Sequence, residues 1–185
     1  MFRRFRCTFL LALALSITAT CAAAGSALAS SCGFGRLRAD QATAKKLRLA
    51  TLCLLNRERR YHGLQTLRVD PHLRLSAHRH AKDMVTRRYF AHVSSGGRQP
   101  SDRMRAAGYM GHAHHWLVGE NLVWGAGAFS TPIDRVRALM HSPPHRRNML
   151  RPGFREVGIW VSQQAPVHAA YRSGATYVLN FGAAG

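Results

Sequence analysis

The chain has 185 residues and carries 27 Lys and Arg against eight Asp and Glu, a formal net charge of +19. That length suits one domain with its own core rather than a string of domains. The charge draws the chain toward anionic cell-envelope polymers or a phospholipid membrane surface. The basic residues are scattered, without the aromatic interleaving of a nucleic-acid platform, which argues against nucleic acid as a partner.

The first residues set Arg3, Arg4 and Arg6 ahead of an apolar run from Phe9 to Ile17 and a small-residue stretch ending Ala27-Leu28-Ala29. This is the pattern of a secretory signal peptide over residues 1–29, with cleavage after Ala29, and the run is short for a bilayer span. The expected location is extracellular or periplasmic. Lipid attachment at Cys21 or Cys32 is the alternative processing, but neither cysteine follows the residues that usually precede it. In an oxidising compartment Cys32 and Cys53 can pair, tying the N-terminal segment to the first helix. Two free thiols are the alternative that their spacing leaves open.

Residues 30–42, rich in Ser, Gly and Arg, form an irregular lead-in to a domain over 43–185. From Thr43 to Arg60 the positions Leu47, Ala50, Thr51, Leu54 and Leu55 make one helical stripe, and Gly63 stops it. Asp70-Pro71 reads as an N-cap followed by proline at the first helical position. The helix it opens runs to about Arg88, with Leu73, Ala77, Ala81, Met84 and Val85 facing inward. A third helix covers Ser101 to Ala107 and ends at Gly108. A fourth starts at Thr131-Pro132, where Asp134 has capping-box spacing, and Ser142-Pro143-Pro144 ends it after about Met140. Strands are expected over 116–123, 156–162 and 176–181. Helices mostly before strands give an α+β fold with helices covering an antiparallel sheet.

Three strings carry the chemistry: Tyr89-Phe90-Ala91-His92, Gly119-Glu120-Asn121, and Ser142-Pro143-Pro144-His145-Arg146-Arg147-Asn148-Met149-Leu150. Glu120 lies in a short apolar strand, where a carboxylate is costly without a cation, a hydrogen-bond donor or a metal. His145 follows two prolines, which fix its position. Each histidine read alone is an ordinary packing residue; the two imidazoles and the carboxylate gain meaning only if folding brings them together.

Their order, with Asn56-Arg57, Asp102-Arg103-Met104, Ala107-Gly108-Tyr109, Val157-Gly158-Ile159 and Phe181-Gly182 around them, resembles the bacterial branch of the CAP superfamily, the secreted cysteine-rich proteins, over about Leu55 to Gly182. The resemblance implies an α-β-α sandwich with a central antiparallel sheet and an open cleft. In that family the cleft carries two histidines and two glutamates and can hold a divalent metal such as zinc. His92 and His145 match the histidines and Glu120 the first glutamate. Ser142 stands where the second glutamate belongs, and Leu139 where the family usually has tryptophan. Two imidazoles with Glu120 nearby make an incomplete zinc site, so weak binding is expected. The alternative role of Glu120 is only to lock the sheet to its helices by accepting hydrogen bonds from His92, His145 or backbone amides.

Other candidates are thinner. His112, His114 and His115 sit in a loop expected to be a solvated insertion, His78 and His80 point to different sides of a helix, and Trp116, Trp124 and Trp160 read as core. No nucleophile elbow, His-Glu-x-x-His string, phosphate loop or dinucleotide fingerprint occurs. The expected function is a secreted, monomeric binding or interaction module. The resemblance adds a lipid or sterol as a ligand class. The rival is a metal-assisted hydrolase or peptidase with Glu120 as general base.

Overall fold

The computed structural model describes residues 32–111, 113–167 and 173–185; the expected signal peptide, Cys21 and His112 lie outside them. No helix among the described residues is long and apolar enough to cross a membrane. The domain is a three-layer sandwich. Among the described residues five α-helices, α1 (Ala44–Tyr61), α2 (Pro71–Arg87), α3 (Pro100–Ala106), α4 (Pro132–His141) and α5 (Pro143–Met149), flank a sheet of β1 (Arg68–Val69), β2 (Trp116–Ala126), β3 (Glu156–Ser162) and β4 (Gly174–Ala184).

The helix boundaries follow local chemistry. Thr43 caps α1 by accepting from the Lys46 amide, and Asp70 caps α2 by accepting from the Leu73 amide at 2.8 Å. Thr131 caps α4 in the same way, and Ser142 joins α4 to α5 by ending one and preceding the other. The two prolines at its start open a helix of seven residues, α5, which carries His145.

The sheet order is β1-β3-β4-β2, with β3–β4 and β4–β2 antiparallel and β1 parallel to β3. The central strands are antiparallel as expected, and at one edge β1 adds a two-residue parallel pair. Strands β2 and β4 also outrun their expected ends, because all eleven positions of each are paired with the other. Phe154, Val157, Ile159, Val161, Tyr177 and Phe181 pack on one side with Leu47, Leu54, Leu55, Val136 and Leu139 of α1 and α4. On the other side Ala77, Ala81 and Met84 of α2 meet Leu122 and Val178. The small residues of α2 let it lie close to the strands.

Cys32 and Cys53 are joined, their Cα atoms 5.6 Å apart and 21 residues distant in sequence. Closing a loop of that size restricts the unfolded chain by about 3 kcal/mol. The bond also leaves Cys32 no free thiol for a lipid.

All three tryptophans depart from the core expectation, Trp124 being half-buried. Trp116 is 44% exposed, with the Arg105 guanidinium over its ring. Trp160 is half-buried, stacked on His78 at 3.9 Å and faced by Arg48 at 4.5 Å.

Candidate functional site

The segment carrying His92 is held from three sides. Helix α2 ends at Arg88 in a left-handed conformation (φ 56°), the one non-glycine with positive φ among the described residues, which turns the chain toward Tyr89. The Tyr89 hydroxyl donates to Asp83 Oδ2. Burial and that bond push the Tyr89 phenol up to about 12. The ring of His80, buried in α2, donates from Nε2 to the Ala91 carbonyl at 3.0 Å. Arg103 of α3 donates to the His92 carbonyl at 2.7 Å. The His92 side chain stays half exposed.

Glu120, in the middle of β2, has a side chain only 1% exposed, and its charge is met on both oxygens. His92 Nδ1 donates to Oε1 at 2.9 Å, and an Arg103 NH2 group donates to Oε2 at 2.7 Å. Asn180, directly opposite on β4, donates to Oε2 at 3.1 Å while accepting from Ser76 Oγ at 3.1 Å, the amide orientation that pairs donors with acceptors. The buried pair of Glu120 and Arg103 is thereby completed by additional hydrogen bonds, as burial of charge requires.

His145 reaches the same region from α5. Its carbonyl accepts from Asn121 Nδ2 at 2.9 Å, and Asn148 donates to both the Glu120 carbonyl (3.2 Å) and Asn121 Oδ1 (2.9 Å). Gly119 makes that docking possible: a Cβ there would lie 2.9 Å from the Phe154 ring and 3.2 Å from Asn148 Oδ1. His145 Nδ1 is 2.6 Å from Ser142 Oγ. Burial, and next the charge of nearby His92, hold its ring below the ordinary imidazole value and so favour the neutral form.

The strings thus converge, though not all through Glu120: His145 bonds Ser142 and not the carboxylate. The description of CAP, the cysteine-rich secretory protein family, matches residues 52–181. The chain belongs to the CAP family. It is 36% identical over 106 residues to an uncharacterized protein of Bacillus subtilis, YkwD, a match covering 57% of this chain and 38% of that one. The chain therefore matches little more than a third of that relative's length.

Among solved structures, an extracellular protein containing an SCP domain from Bacillus anthracis is 25% identical with a TM-score of 0.57. That match covers 76% of this chain and 43% of the other. An outer surface protein of Borrelia burgdorferi superposes with a TM-score of 0.64 at 18% identity, covering 78% and 97%. These likenesses carry the sandwich fold.

The hydrogen bonds of this CAP site fix proton positions. A carboxylate accepts only, so a proton of His92 sits on Nδ1, and in the neutral ring Nε2 is the nitrogen that has the lone pair. This is the arrangement in which a carboxylate orients a metal-binding histidine from behind. Among the described residues no three His, Cys, Asp or Glu side chains gather as a metal cage. The residues that could hold a divalent ion are the two imidazoles of His92 and His145, fewer than the three or four protein ligands of a structural zinc site.

Arg103 is the principal residue that the sequence reading missed, with Asn180, Asn121 and Asn148 behind it. Its string appeared only as a family likeness, yet a carboxylate within an apolar strand demands a cation, and that demand was the available signal. His80 is buried and packed, 4.0 Å from Glu120, and burial holds it below the usual imidazole value. His114 and His115 are exposed in the loop before β2.

Proposed function

We propose that this CAP protein works outside the cytoplasm as a binding module whose cleft takes a divalent cation on Nε2 of His92 and Nε2 of His145. The observation that carries the reading is the engagement of Glu120: 1% exposed, one oxygen on His92 and the other on Arg103. A carboxylate so placed supports a ligand from behind and is poorly placed to take a proton from a water at the cleft mouth. That favours binding over the hydrolase reading, in which Glu120 is the general base. A bound Zn²⁺ would supply exposed positive charge that attracts an anionic or carbonyl oxygen of the partner molecule. The disulfide suits an oxidising compartment. The extracellular description of the Bacillus anthracis relative supports the same location.

Calorimetric titration of Zn²⁺ tests this. The wild-type protein is expected to bind one ion. The paired substitution His92→Ala/His145→Ala should weaken binding at least tenfold, while Glu120→Gln, which keeps an acceptor for His92 Nδ1, weakens it less. Equal affinities in wild type and the paired variant would remove the site. Zinc-dependent hydrolysis of a peptide, abolished by Glu120→Gln, would establish the enzyme instead.

A further inference from the structure

A cavity of about 350 Å³ opens between α2, α3 and the turn over residues 93–99, and neither His92 nor His145 lines it. Three arginines line it, Arg79, Arg98 and Arg103, together with Ser94 and Ser95. The charges do not cancel locally. Arg103 is matched by Glu120. Asp83, the acidic residue of the wall, is already bonded to the Arg87 guanidinium, the Tyr89 hydroxyl and Ser95, and those bonds overcome its burial to hold it below the usual carboxylate value.

Arg79 and Arg98 enter no ion pair among the described residues. Among the described residues the one side-chain hydrogen bond of Arg79 is a 3.5 Å approach to the Ala106 carbonyl. Two surplus cations therefore face one concave wall whose third arginine is rigid, 7% exposed and anchored through NH1 to the carbonyls of His92 and Arg98 and to Ser94 Oγ.

We propose that this cavity binds a phosphate group, as inorganic phosphate or as a phosphomonoester. A phosphate dianion matches the two surplus charges, guanidinium forks suit its oxygens, and the Ser94 hydroxyl, which accepts from Arg103, keeps its proton as a further donor. The volume lies in the range of small-molecule sites, about 300–1,000 Å³, and leaves space beyond the phosphate for a small organic group. The site is separate from the histidine cleft and does not depend on a metal there.

Calorimetry with inorganic phosphate and with glycerol 3-phosphate, in metal-free buffer at physiological salt, decides it. Both arginines to be changed are exposed, so the fold is expected to survive. Wild type should bind either ligand saturably at one site. The variant Arg79→Gln/Arg98→Gln should bind at least tenfold more weakly with an unchanged melting temperature, and Arg60→Gln, on α1, should bind as wild type does. Tighter binding of the ester assigns the remaining volume to its organic part, whereas equal affinities assign the site to phosphate alone. An absence of saturable binding, or an equal loss in Arg60→Gln, would overturn the proposal, leaving a solvent-filled cavity or a general charge effect.

Discussion

Replacing Arg103 by methionine is expected to cost about 3–5 kcal/mol of folding stability, the range for leaving one member of a buried ion pair without its partner. The guanidinium does two things at once. Through NH2 it neutralises Glu120 at 2.7 Å, and through NH1 it holds the His92 and Arg98 carbonyls and Ser94 Oγ. Its loss strands a carboxylate 1% exposed and frees the segment that carries His92.

Lysine should recover little, since an ammonium cannot span both sets of acceptors as a planar fork does. The paired variant Arg103→Met/Glu120→Met removes the stranded charge as well and should lose less than the sum of the single losses. Denaturant unfolding of the four proteins reads the coupling. A loss under about 1 kcal/mol in Arg103→Met, the scale of an exposed pair, would contradict the role assigned to Arg103.

Gly158→Ala is expected to cost about 3 kcal/mol or more, the upper end for overpacking a core. A Cβ at this position in β3 would stand 2.0 Å from the Leu73 carbonyl carbon and 2.1 Å from the Arg74 amide nitrogen. Those atoms are helix backbone and cannot rotate aside, so α2 must retreat from the sheet. The damage reaches the site along one row: Gly158 pairs with Asn180, which pairs with Glu120, while Ser76 and His80 approach the same carboxylate region from α2. Zinc affinity should therefore fall together with stability. Gly96→Ala is the control, because a Cβ there meets nothing within 4 Å, and it should stay within about 0.5 kcal/mol of wild type. A Gly158→Ala protein as stable as that control would mean that α2 does not press on β3 as described.

What the sequence made legible follows from which signals are local. Asp70-Pro71 and Thr131-Pro132 announce helix starts because cap and proline act within one turn, and α2 and α4 begin there. The two-residue β1 has no pattern to read; it exists because Arg68 and Val69 pair with Glu156 and Val157, far along the chain. The glycine- and alanine-rich ends of β4 look like loop and become strand through pairing with β2.

At the site, Glu120 was identifiable because a carboxylate in an apolar strand poses an electrostatic problem. The solution was hidden. Arg103 lies between Asp102 and Met104, near Arg105, in a chain with 27 basic residues, and local pattern gives no reason to bury this one. The same limit explains Ser142. Its replacement of the family's second glutamate was visible, but its bond to His145 Nδ1 needs the turn between α4 and α5 to exist.

The proposed site requires Glu120 to hold His92 through Nδ1 so that Nε2 is free for a ligand. Nitrogen-15 NMR of the imidazole rings during a Zn²⁺ titration near neutral pH tests this most directly. Without metal, His92 should show a protonated Nδ1 and a bare Nε2, and zinc should shift the Nε2 signals of His92 and His145 together. A His92 protonated on Nε2, or zinc that perturbs neither ring, would contradict it.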